Sequence, residues 1–230
     1  MTASNLEILA HEDTPLGFLC LRRRTLLSDP GTVITEVTLN HEFLMSSYNT
    51  ASERALSQVA LELHEGSALR VLIGGLGLGY TADTALASPR VAAVEVVEHL
   101  PQVIEWLEAD LVPLSSTLKA DDRLEVVEGD IYARMAAEPD GAFDLILIDV
   151  DHAPDDRLNR ANDFFYTREG LERASRHLAP GGVLGVWSYA ESSPFARALH
   201  EVFQEVDIEP VTFFNDLVDE ESTDRLFFAR

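Results

Sequence analysis

Four glycines in the run VLIGGLGLGYTAD, Gly74, Gly75, Gly77 and Gly79, separate an apolar stretch from one of helical pattern. Glycines there let the backbone turn tightly and approach a ligand, while the helix amino terminus offers unpaired N–H groups to a carboxylate or phosphate. Structural turns and dinucleotide sites share this pattern, so the chemistry has to be read from acids at the neighbouring strand ends. Glu95 in VAAVEVVE lies about 20 residues beyond Gly75, where a carboxylate can accept hydrogen bonds from both ribose hydroxyls. Asp130 in RLEVVEGDIY follows the next strand; it can receive an adenine amino group or cap the helix that starts with IYARMAA. Asp149 ends FDLILID, with Asp151, Asp155 and Asp156 just behind it at the edge where open α/β sheets bind ligands. Carboxylates gathered there attract an ammonium group or take a proton from it. Asp149 and Asp151 are the candidate catalytic residues, and Asp155 and Asp156 read as a solvated loop.

The remaining reactive types carry less. His152 reads as a loop histidine, and the 7 histidines form no pair at metal-ligand spacing. Cys20 is the single cysteine, so it forms no internal disulfide and supports no thiolate cluster. No metal is expected. Ser188 and Tyr189 end a strand and border the expected acceptor pocket, whereas Phe164, Phe165 and Tyr166 read as packing.

The elements that must position these residues follow from periodicity. Residues 16–48 hold LGFLCL, TVITEVTL and EFLM around the turns SDPG and Asn40-His41, a small antiparallel sheet. TASERALSQVALEL places Ala55, Leu56, Val59, Ala60 and Leu63 on one helical face, with Thr50 or Ser52 as cap. From residue 68 apolar strands alternate with amphipathic helices five times, the last helix opened by Ser193 as cap and Pro194, and consecutive apolar residues in RVLI and DLILI imply a parallel sheet covered on both faces. VDIEPVTFF and RLFFAR close the chain as two strands around the acidic loop NDLVDEESTD. The boundaries expected are 1–49 for the β-rich extension and 50–230 for the main domain.

Composition narrows the function. The 230 residues are 46% hydrophobic and 25% charged, ordinary globular values, and the formal net charge of −23 disfavours nucleic acid and membrane partners. MTASNLEILAHEDT has no basic segment followed by an apolar run, and no stretch nears 18 apolar residues, so a cytoplasmic protein is expected.

The glycine loop GGLGLG, the acidic VEVVE, EGD, LIDVDHAP, DFFYTREGLE and LAPGGVLGVWS, with EVTLNHEFLMSS ahead of them, together resemble the class I S-adenosylmethionine-dependent methyltransferases. Within that fold the chain is most similar to the spermidine synthase (polyamine aminopropyltransferase) family, over about residues 31–229. The resemblance implies a Rossmann-like, mostly parallel seven-stranded sheet with an antiparallel C-terminal strand, preceded by the β-rich extension. It implies Gly75 and Gly77 as the floor of the nucleoside site, Glu95 on the ribose, Asp130 on the adenine, Asp149 as the catalytic or acceptor-orienting carboxylate, and a homodimer.

The departures from the family bear on the donor. Its aminopropyltransferases carry an aspartate inside the glycine loop; here Leu76 and Leu78 stand, with no acid before Asp83. A loop of N–H donors without an acid suits the carboxylate of ordinary S-adenosylmethionine better than the ammonium tail of its decarboxylated form. Of the family's polar residues over 45–56 only Glu53 has a counterpart, and Asp151 is the nearest substitute for its second acid after Asp149. The first expectation is therefore methyl transfer to a small acceptor, with a cation favoured by the acids. The alternatives are aminopropyl transfer to a polyamine and a noncatalytic nucleoside-binding protein. A dinucleotide oxidoreductase ranks below all three.

Overall fold

The computed structural model describes residues 5–27, 29–158, 160–215 and 219–230. Ser28 of the SDPG turn, the first four residues and positions 216–218 of the acidic loop lie outside the described residues.

Two sheets share the chain. The first orders β1 (Leu6–Thr14), β2 (Gly17–Thr25), β3 (Val33–Leu39) and β4 (Glu42–Ser46) as an antiparallel meander. Asn40 and His41 turn β3 into β4 with φ of 52° and 70°, the left-handed pair that a two-residue hairpin loop requires. β1 was not expected: its residues are mostly exposed and show no apolar alternation, so its backbone pairing with β2 alone defines it.

α1 (Ala51–Leu63) leads into the second sheet, built from β5 (Leu69–Gly74), β6 (Val91–Glu98), β7 (Leu124–Glu128), β8 (Phe143–Ile148), β9 (Leu178–Ser188), β10 (Val206–Asn215) and β11 (Glu220–Ala229). Its order is β10-β11-β9-β8-β5-β6-β7. Strands β5 to β9 pair in parallel, while β11 runs antiparallel to both β9 and β10. The mostly parallel seven-stranded sheet with an antiparallel C-terminal strand is the expected one.

The helices between the strands are α2 (Tyr80–Leu86), α3 (Pro101–Glu108), α4 (Ser115–Lys119), α5 (Ile131–Ala136), α6 (Arg168–Ala174) and α7 (Ser193–Val202). Ser192, not Ser193, caps α7, its hydroxyl accepting from Phe195 N–H at 3.3 Å. One face of the sheet buries Val71, Ile73, Leu145 and Leu147 against Leu56, Ala60, Ala82 and Trp106. The other buries Leu72, Ile146 and Ile148 against Ile131, Met135, Leu171 and Phe195. Leu19, Leu21 and Val37 of the first sheet belong to the first of these clusters, which seats that sheet above the glycine loop. No helix among the described residues is long and apolar enough to cross a membrane.

Candidate active site

The turn after β5 is forced by Gly75. Its φ is +93°, and a Cβ there would lie 2.2 Å from the Asp149 carbonyl oxygen. Only glycine lets the two strand ends approach this closely. The Asp149 N–H bonds the Gly74 carbonyl at 2.9 Å, locking the same pair of ends together. Gly77, with φ +53°, lines both cavities beside the loop, and Gly79 caps α2. Leu76 and Leu78 are buried in the core, so the loop turns its backbone toward the cavities.

The smaller cavity, about 130 Å³, lies between Gly75, Gly77, Glu98, Asp130 and Asp149. Glu98 ends β6 and is 8% exposed. Its Oε2 accepts from Leu76 N–H at 2.8 Å and its Oε1 from Leu100 N–H at 2.8 Å. Burial raises its pKa above the ordinary carboxylate range, while backbone N–H bonds from Leu100 and Leu76 oppose the shift. The backbone N–H groups of Gly77 and His99 also bond it, so four N–H groups hold the carboxylate at the wall of the smaller cavity.

Glu95 is corrected by the same strand. It pairs mid-strand with Leu72 and Glu125 and is held by Arg134 of α5, which also reaches Asp140. Three residues of strand, about 10 Å, separate it from the strand end. The acid at the expected place is Glu98, which also stands just ahead of Pro101, the opening residue of α3; that proline was the available signal. Asp130 follows β7. It caps α5 through Oδ1, which accepts from Tyr132 and Ala133 N–H at 2.9 and 3.1 Å, and it lines the smaller cavity.

The larger cavity, about 930 Å³, opens between the first sheet, α1, the loop and the ends of β8, β9 and β11. Glu53 from α1, Asp149 after β8 and Asp224 from β11 line it. The Ser52 hydroxyl lies 2.6 Å from Asp224 Oδ2 and 3.2 Å from Glu53 Oε2, and Thr81 donates to Asp149 Oδ2 at 2.7 Å. Burial, then the charges of Asp149 and Asp224, pushes Glu53 up to about 8. Burial and the Asp224 charge raise Asp149 to about 6, against the Thr81 bond, and burial also raises Asp224. Like-charged acids in one poorly solvated place hold protons that an approaching ammonium can displace. Asp149 lines both cavities.

Asp151 is placed differently from the expectation. It is 2% exposed, and its oxygens accept from Tyr132 OH at 2.8 Å, Tyr166 OH at 3.0 Å, Leu158 N–H at 2.8 Å and Asn162 Nδ2 at 2.9 Å. Bound by that many protein donors, the carboxylate anchors the segment after β8 at the wall of the larger cavity. Tyr189 lines the larger cavity and bonds Asp156, whereas Ser188 is buried and donates to the Ala190 carbonyl. Phe165 and Tyr166 pack in the core as expected. Asp224 was missed because its strand begins inside a stretch that reads as an acidic loop.

A mostly parallel seven-stranded sheet preceded by a four-stranded antiparallel one is a Rossmann-like methyltransferase fold, similar to that of solved spermidine synthases. The chain superposes on a spermidine synthase in complex with the transition state analogue AdoDATO with a TM-score of 0.78 at 19% identity, covering 96% of this chain and 73% of the other. Spermidine synthase from Thermotoga maritima gives a TM-score of 0.73 at 18% identity, with 96% and 72% covered. In sequence, the chain is 33% identical over 123 residues to polyamine aminopropyltransferase 2 of Streptomyces coelicolor, 53% of this chain and 22% of that protein. Putrescine N-methyltransferase 3 of Nicotiana tabacum is 32% identical over 123 residues, 54% and 30%. The polyamine aminopropyltransferase of Prochlorococcus marinus is 31% identical over 131 residues, 57% and 43%. The chain thus spans less than half the length of these curated relatives. No family model matches it.

Proposed function

We propose that the protein is a transferase that moves a methyl group from S-adenosylmethionine to a small amine of the polyamine class. The observation that carries this reading is Asp149 at the junction of the two cavities, with Glu53 and Asp224 beside it. Glu98 and Asp130 hold the nucleoside, at the ribose and the adenine, over a floor of Gly75 and Gly77. A sulfonium donor supplies an electrophilic carbon: the acceptor nitrogen's lone pair forms the new C–N bond while the C–S pair leaves with sulfur as a neutral thioether.

The chain's own residues prepare the nucleophile. A protonated amine, pKa about 10.4 for a lysine-like group, is drawn in by the three carboxylates and gives its proton to Asp149. Elevated carboxylate pKa values narrow the mismatch with the amine, and the cavity walls hold nitrogen and carbon in near-attack geometry. The loop favours the methyl donor, since it carries no acid to meet a free donor ammonium. Aminopropyl transfer is the second reading, favoured by the two relatives named as aminopropyltransferases.

Transfer of label from methyl-labelled S-adenosylmethionine, or from the decarboxylated donor labelled in its propylamine, to putrescine and related amines tests both readings. Asp149→Asn should lower turnover on the order of a hundredfold or more while donor binding stays within about threefold. Unchanged turnover removes Asp149 from the role, and label reaching no amine sinks the reading.

A further inference from the structure

The wall that the first sheet gives to the larger cavity is cationic, and the mechanism above leaves it unused. Arg22 and Arg24 share one face of β2 and reach Glu36 of β3: Arg22 Nε and Nη2 are each 3.0 Å from Oε2, and Arg24 Nε is 2.7 Å from Oε1. All three residues line the cavity. Glu36 is 2% exposed, so one buried post fixes both guanidinium groups. Two positive charges against one negative leave a net positive wall.

The donors left over point to a ligand. Arg22 Nη1 and both Nη atoms of Arg24 have no protein acceptor among the described residues, although the side chains are only 34% and 27% exposed. Arg23, on the opposite face, spends its Nη2 on the Leu111 carbonyl at 3.0 Å. A cross-strand clamp needs only the groups already turned to Glu36. Planar guanidinium forks match a carboxylate, and with a formal net charge of −23 the rest of this chain repels anions.

We propose that Arg22 and Arg24 form an anion-receiving pole of the cavity, which binds a carboxylate carried by one substrate while Glu53, Asp149 and Asp224 receive an ammonium. This rests on the cavity being the substrate site proposed above. The carboxylate has two sources: the amino acid tail of an undecarboxylated donor, or an acceptor that is an amino acid in place of a diamine. Decarboxylated donor with a plain diamine brings none, so a pole that takes the donor's carboxylate also separates the two transfer reactions.

Calorimetry on the wild type, Arg24→Gln and Arg24→Lys compares S-adenosylmethionine, its decarboxylated form and 5′-methylthioadenosine, which lacks the tail. If the donor brings the carboxylate, Arg24→Gln weakens S-adenosylmethionine alone, by about tenfold to a hundredfold, and the lysine variant recovers part of it. If the acceptor brings it, donor affinities stay level and Arg24→Gln raises KM for 4-aminobutyrate but not for putrescine. Glutarate, at low ionic strength, should raise the melting temperature of the wild type and not of Arg24→Gln. Equal behaviour of wild type and variant toward all of these ligands overturns the proposal. Failure of the wild type to bind 5′-methylthioadenosine sinks the proposed function instead, and the glutarate titration still decides the anion pole. Arg22→Gln, which also leaves Glu36 one guanidinium, repeats the test should Arg24→Gln not fold.

Discussion

Replacing Glu53 with Gln should make the ligand-free protein more stable, by an amount that grows with pH. Burial holds the Glu53 carboxyl at about 8 against an ordinary value of 4.5. Between those values the folded chain binds a proton that the unfolded chain has released, so stability falls as pH rises through the window. Glutamine never ionises and escapes the loss. Below about pH 4 the two proteins should be equally stable. The gap should reach about 3 kcal/mol by pH 7 and level off near 5 kcal/mol above pH 8, both ceilings because Asp149 and Asp224 share the proton load. Losses of that size are a large share of a domain's 5–15 kcal/mol. Urea unfolding of both proteins at pH 5, 7 and 9 measures the gap. Putrescine should restore wild-type stability at pH 9 and do little for the variant. Parallel pH profiles would show that Glu53 sits in water, and the proton-holding cluster would then have to be abandoned.

Glu98→Gln should weaken 5′-methylthioadenosine binding by about tenfold or more, since charge-assisted bonds to the ribose are lost, while Glu95→Gln leaves it within about twofold. Calorimetry that found Glu95 the more important would reverse the assignment. Asp151→Ala should cost about 3 kcal/mol or more in urea unfolding, because four donors lose their buried acceptor, with Asp156→Asn near zero as the comparison. A loss under about 1 kcal/mol would mean the segment after β8 is held by something else.

The α/β sheet is legible in the sequence because covered parallel strands must be apolar at consecutive positions, as in DLILI and RVLI. β1 is not, because Leu6 and Ile8 point to solvent and neither face supplies an alternation. α4 is a single short turn of helix, below the length at which periodicity can be detected. Ser192 and Ser193 are chemically equal as caps, and only the hydrogen bond to Phe195 separates them.

The site divides along the same line. Gly75 and Asp149 are fixed by local sequence, since a turn with positive φ and a strand end each leave a mark in their own segment. Glu95 and Glu98 differ by three positions on one strand, and spacing from the glycines cannot separate them; what does is whether the side chain meets Arg134 or the loop N–H groups. Asp151 reads as a second reacting acid until Tyr132 and Tyr166, from distant segments, are seen to claim it. Asp224 lies 172 residues from the Ser52 hydroxyl that holds it. Such long-range partners decide which of the chain's many carboxylates are solvated and which are trapped together. That distinction turns an acidic sequence into a cavity able to hold a proton and give it up when a cation enters, and it arises only when α1, β8 and β11 converge.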